Sequence, residues 1–496
     1  MPCAGPLPFR RHTRPRTESR VVTHKEWQRL VQVCQRWRQI IYASPRYLEL
    51  HLCCTNGTPF KEELSRWPAF PIIIAYHLPN SDYRLPDDDD DYDVELIAAL
   101  EHPDRVQRVD LDITISGVEE VFAVMQVPFL VLTHLGLTGY VDVPVLSGGF
   151  LGGSAPCLQH LRIEGVPFPE LPTLLLSARD LVFLQLGCGY ISPEAMVVGL
   201  AGLTRLRTLC IKTHSPTPPP EPTRRPSMLA VLPALTRFVF GGDSEYLEDL
   251  VAQIDTPRID SVSIEYSMEE VRIRQLSQFI DRTANLKLAQ FTHAQVSFSN
   301  VTAYIELDCP QGERHQVRLS ITVLGRGLDF QVPYVVHVLG QLDTTLSNVG
   351  HLSVCRAQIE PGPVDEMDTT GWLPLFRLFP AVETMHVSRA TGGYIAPALE
   401  DIAEEMVTEV LPALYLLFLE DDDEDDKNDH DHDGYDSGYD NIKPVGSVER
   451  FLSLHQLSGL PVTTVKTEDE FVESLMAHRT VDSLLDEYES SDLDSG

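Results

Sequence analysis

Leu132-Thr133-His134-Leu135-Gly136-Leu137 and, 26 residues further on, Leu158-Gln159-His160-Leu161-Arg162-Ile163 follow one pattern: apolar, two variable positions, apolar, one variable position, apolar. It extends back to Val106, Val109, Leu111 and forward to Leu181, Leu184, Leu186; Leu206, Leu209, Ile211; Leu235, Phe238, Phe240; and Ile259, Val262, Ile264. The seven copies begin 26, 26, 23, 25, 29 and 24 residues apart, and the longest interval holds the proline-rich stretch Pro216–Pro226. Side chains two apart on a strand share a face, so the last two apolar residues of each copy line one side of a short strand. The first anchors the incoming turn. The residue between the last two faces the other way: Asp110, Gly136, Arg162, Gln185, Cys210, Val239 and Ser263.

Between copies, Val94–Leu100, Val118–Met125, Pro193–Leu200 and Glu245–Ile254 have helical character, several with apolar residues at i, i+3, i+4. These periods fall in the roughly 20–29-residue window of leucine-rich repeats. One such unit cannot bury its apolar side alone, so the units must stack. The expected fold is α/β: a leucine-rich-repeat solenoid over residues 61–420, curved, with parallel strands on the concave face and helices outside. On that concave face Asp110, Arg162, Gln185 and Ser263 are the expected partner-binding side chains. After about residue 265 the repeats become irregular. Val301–Leu307 and Gln316–Leu324 alternate like longer strands, and the pattern returns at Val349, Leu352, Val354, at Val382, Met385, Val387 and at Leu414, Leu417, Leu419. A separate β-rich domain over residues 290–330 is the alternative, disfavoured by that return.

A formal net charge of −34 argues against nucleic acid and anionic membranes as partners, and the charge is segregated. Arg10–Arg38 carries nine Lys/Arg against Glu18 and Glu26, whereas Asp421–Asp440 carries eleven acids against Lys427. The expected organisation is a basic disordered N-terminus (1–20), the solenoid with a small N-terminal segment before it (21–60), and an acidic disordered linker (421–441). A C-terminal capping segment (442–480) and an acidic disordered tail (481–496) follow. The nine cysteines form no zinc-like C-x-x-C pair, and Pro2, Pro6 and Pro8 stand where a secretory leader needs apolar residues. Reduced thiols in the cytoplasm and/or nucleus are expected. The longest apolar stretch, Leu411–Leu419, has nine residues and includes Pro412, about half of the ~20 that span a bilayer, so no membrane segment is expected.

Glu26–Tyr42 reads as an amphipathic helix with Leu30, Val33, Cys34, Trp37, Ile40 and Ile41 on one stripe. The run Val33-Cys34-Gln35-Arg36-Trp37-Arg38-Gln39-Ile40, followed by Ser44-Pro45, resembles the second half of an F-box. Trp67-Pro68-Ala69-Phe70-Pro71, Trp372–Val387, Leu411-Pro412-Ala413-Leu414 and Ser447-Val448-Glu449-Arg450-Phe451 resemble blocks of the fungal F-box and leucine-rich-repeat family, and the resemblance covers roughly residues 27–480. It implies an adaptor. The stripe residues would dock on the Skp-type subunit of a cullin–RING ubiquitin ligase, and the repeats would hold the substrate protein. The Leu-Pro-x-Glu-Leu helix that opens a complete F-box has no counterpart here, where Pro8-Phe9-Arg10-Arg11 and basic sequence stand instead. The F-box is therefore truncated or degenerate, and capping of the solenoid's open end is the alternative role for Trp37 and its neighbours.

The sequence has no Walker loop, Rossmann fingerprint, H-E-x-x-H, G-x-S-x-G or kinase signature, so neither catalysis nor a cofactor is expected. Cys157, Cys188 and Cys210 follow the repeat register, as small buried thiols do. Asp429, Asp431, Asp433, Gly434 and Asp440 match the spacing of a calcium loop, but Asp436 stands where an apolar residue is usual and Asp440 where a bidentate Glu is. A solvated acidic linker is the expected reading, with no metal.

Overall fold

The computed structural model describes residues 33–43, 51–55, 60–67, 70–77, 94–113, 118–140, 143–187, 189, 191–213, 229–266, 272–309, 317–325, 327–356, 371–388, 391, 395, 398, 410–419 and 462–465. These fall into two compact units, one ending at Leu286 and the other beginning at Lys287.

The first unit contains β1 (Leu52–Thr55), β2 (Ile72–Tyr76), β3 (Val106–Ile113), β4 (His134–Gly139), β5 (His160–Glu164), β6 (Phe183–Gly187), β7 (Thr208–Lys212), β8 (Ala230–Val231), β9 (Arg237–Gly242), β10 (Ile254–Asp255) and β11 (Ser261–Tyr266). Nine of these form a parallel sheet in the order β1-β2-β3-β4-β5-β6-β7-β9-β11. The short β8 and β10 pair with each other. The helices are α1 (Gln35–Ala43), α2 (Phe60–Arg66), α3 (Val94–Leu100), α4 (Val118–Val124), α5 (Leu171–Leu175), α6 (Pro193–Leu200), α7 (Ser244–Val251) and α8 (Arg274–Arg282), with α9 (Ala284–Leu288) where the units meet in sequence. Ser192 caps α6 by accepting from Ala195 N, with Pro193 in the first turn, and Asp243 caps α7 by accepting from Glu245 N.

Each position of the sequence pattern has one structural task. The first apolar residue donates its N–H to the carbonyl three residues back, at Leu132, Leu158, Leu181, Leu206, Leu235 and Ile259, closing the same turn before each strand. The next position hands its N–H to its counterpart one copy earlier, Thr133 to Gln107, Gln159 to Thr133 and Val182 to Gln159, which extends the ladder upstream of each strand. The second and third apolar residues are buried to 2% exposure or less in all seven copies. Full burial of each is worth roughly 1.5–3 kcal/mol. Cys210 apart, the opposite-facing residues from Asp110 to Ser263 stay half-exposed, so the helices cover one side only.

In the second unit β12 (His293–Phe298), β13 (Thr302–Cys309), β14 (Val317–Leu324), β15 (His351–Arg356), β16 (Thr384–Val387), β17 (Leu416–Leu419) and β18 (Thr463–Val465) are ordered β14-β13-β12-β15-β16-β17-β18. β13 runs antiparallel to both its neighbours and every other pairing is parallel. α10 (Leu328–Gly340), α11 (Asp343–Leu346) and α12 (Trp372–Arg377) complete it. The turn bond recurs at Val349, Val382 and Leu414, so the late copies keep the early geometry. The antiparallel β12–β14 set is built into the same sheet as the parallel copies.

Three local expectations are corrected. Ile254 is not helical: α7 ends at Val251 and Ile254 pairs with Ala230. Within the described part of the Glu26–Tyr42 segment the helix begins only at Gln35, because Cys34 Sγ accepts the N–H of Trp37 as a cap would. Cys157 is exposed, since it sits in the turn that precedes β5. Cys188, the basic residues 1–20, Asp421–Asp440 with its calcium-like spacing and the tail from Glu468 lie outside the described residues.

Candidate functional site

Two features of the first unit stand out: the sheet face that the helices leave open, and the apolar side of α1. The strand-to-strand register places Asp110, Gly136, Arg162, Gln185, Cys210, Val239 and Ser263 in one continuous row across β3 to β11. All four expected partner-binding residues therefore share that row, but only three form a cluster. The Arg162 guanidinium donates to Glu164 Oε2 at 2.7 Å, and Gln185 Nε2 donates to Glu164 Oε1. Asp110 lies 3.7 Å from His77 and 3.9 Å from Arg108. His77 is also 3.6 Å from Asp112. Gly136 lies between Asp110 and Arg162 in the row, and a Cβ there would stand 2.7 Å from Asp110 Oδ1, so a larger residue would displace the Asp110 carboxylate. Ser263 is three strands beyond Gln185, about 14 Å at ~4.8 Å per strand. Cys210 belongs to the row expected to face solvent but is buried, as its reading as a small buried thiol implies, and burial pushes its thiol up.

Burial works against the charge of Arg162, but Glu164, then Asp110 and Asp112, outweigh it and hold the guanidinium protonated more firmly. Half-exposed ion pairs of this kind contribute only about 0–1 kcal/mol each to stability. Their main effect is to fix side-chain directions on the open face.

One step toward the strand starts lies a second row that the sequence reading missed: Arg108, His134, His160, Phe183, Thr208, Arg237, Ser261. These occupy the third position of every copy, so period two continued one step upstream would have found them. The His134 and His160 rings stack at 4.2 Å between centroids and 6° between planes, and Phe183 continues the stack at 6.1 Å from His160. Thr133 Oγ1 holds His134 Nδ1 at 2.8 Å. Burial, the neighbouring His160 and Arg108 push the His134 imidazole down to about 4. Burial and Arg108 lower His160 as well. Both rings are thus neutral at pH 7. The second unit repeats the device: Thr292 Oγ1 lies 2.9 Å from His293 Nδ1, and His293 stacks on His351 at 4.4 Å.

Of the expected docking residues, Leu30 lies outside the described residues. Val33 and Cys34 precede α1, while Trp37, Ile40 and Ile41 are on it. Val33 is 64% exposed, Trp37 49% and Ile40 54%, and Cys34 is also exposed. Among the described residues no group of three or more His, Cys, Asp or Glu side chains is placed to hold a metal, and no helix is long and apolar enough to cross a membrane.

No protein-family model matches the sequence, and no curated protein matches it significantly.

Proposed function

We propose that this chain is a non-enzymatic protein-recognition adaptor: a leucine-rich-repeat solenoid whose open sheet face is concave and binds a substrate protein. In this reading the Val33–Ile41 segment docks on the Skp-type subunit of a cullin–RING ubiquitin ligase in the cytoplasm or nucleus. The observation that carries it is the exposure of Val33, Trp37 and Ile40 on one short segment, because large apolar side chains clustered in water mark a surface that a partner covers. The in-register polar row of Asp110, Arg162 and Gln185 supports the substrate half of the reading.

Co-expression of the full chain with a Skp-type subunit tests the docking half. A complex that survives gel filtration and is lost in Trp37→Ala, with the melting temperature unchanged, is the expected result. If no complex forms with the native sequence, the ligase role is wrong and a repeat scaffold without ubiquitin chemistry replaces it.

A further inference from the structure

The row Arg108, His134, His160, Phe183, Thr208, Arg237 ends its ring stack abruptly. Stacked rings grow by adding rings at their ends, and one end of this stack is the outer face of Phe183. The next position is Thr208, a side chain too short to cover that face, and beyond it stands the exposed Arg237. Two strand spacings separate Phe183 from Arg237, about 9.6 Å at ~4.8 Å each. Two stacking contacts of roughly 3.7 Å span about 7.4 Å, so one inserted ring fits within that gap with about 2 Å to spare. A guanidinium on its second face adds cation–π attraction. The charged side chains of the row itself are Arg108 and Arg237, with Asp110 of the next row 3.9 Å from Arg108 and Glu164 acting on Cys210 beside the gap. Five spacings, about 24 Å, separate the two arginines, the reach of about seven extended residues.

We propose that the notch over Thr208 is an anchor site for an aromatic side chain carried by an extended acidic segment of the partner protein. The ring stacks on Phe183 with Arg237 across its other face, and carboxylates on either side of it meet Arg237 and Arg108. This rests on the open face being the recognition surface and adds what that surface selects.

Selection of a phage-displayed library of random twelve-residue peptides on the full-length protein tests it. Enriched peptides are expected to combine one aromatic residue with flanking Asp or Glu. A synthetic copy of one should bind Thr208→Phe, which fills the notch from within the sheet, and Arg237→Glu at least about ten-fold more weakly. Arg237 is exposed, so its charge reversal still reports if the Thr208 variant folds poorly. Enriched peptides that lose binding to Glu164→Lys but keep it to both notch variants would overturn the anchor and leave the recognition face standing. Peptides indifferent to every open-face substitution, or no enrichment at all, would overturn both.

Discussion

Gly165→Ala should be among the most damaging single-methyl changes in the first unit. Gly165 has φ of 68°, where an L side chain costs about 1–2 kcal/mol, and a Cβ there would stand 2.1 Å from the carbonyl oxygen of Gly139. That contact must open by at least about 1.3 Å to reach an ordinary distance, and backbone has to move, because Gly165 N is itself bonded to Gly187 O at 2.7 Å. Overpacking of this kind costs about 1–3 kcal/mol, so the expected total is about 3 kcal/mol. Gly153 separates the two contributions. Its φ is 70°, but the nearest atom to its Cβ position is 3.5 Å away, so Gly153→Ala should cost only the conformational part, about 1 kcal/mol. Urea unfolding followed by circular dichroism measures both. At a slope of ~3 kcal/mol/M the Gly165 variant loses about 1 M of midpoint. Equal midpoints for the two variants would refute the steric argument and leave only the dihedral cost.

Three further outcomes follow from named contacts. His134 is held near 4 in the folded chain against 6.5 when free, so the unfolded chain binds more protons between those values. Its stabilisation is complete above pH 6.5 and is lost as pH falls toward 4. After allowance for its partial exposure it amounts to about 1–2 kcal/mol, and melting curves of His134→Gln should fall less steeply over that window than the native ones. Leu184 is fully buried on β6, and Leu184→Ala should cost about 2–5 kcal/mol in chemical denaturation. The Glu248 carboxylate on α7 accepts from Gln275 N and Leu276 N at the start of α8, so Glu248→Ala should cost about 1–2 kcal/mol and raise amide exchange in α8.

The two-apart spacing of Leu135 and Leu137, or of Leu161 and Ile163, was enough to place the strands, their buried face and the row from Asp110 to Ser263. Such a spacing is a local property of an extended chain with one buried side. Val94–Leu100 and Pro193–Leu200 were legible for the same reason at period 3.6. What only the tertiary structure decided is how residues of different copies meet. Glu164 takes both Arg162 and Gln185 because parallel pairing sets β5 and β6 side by side. His134, His160 and Phe183 become one stack, and Thr208 a gap in it, for the same reason. Cys210 lies in the solvent-facing row by sequence, yet it is buried in the fold. Ile254 left a helix pattern for a strand because Ala230, 24 residues earlier, offered it a partner. Contacts between copies depend on register and on side-chain size two strands away, and neither is written in the chain on either side of the residue concerned.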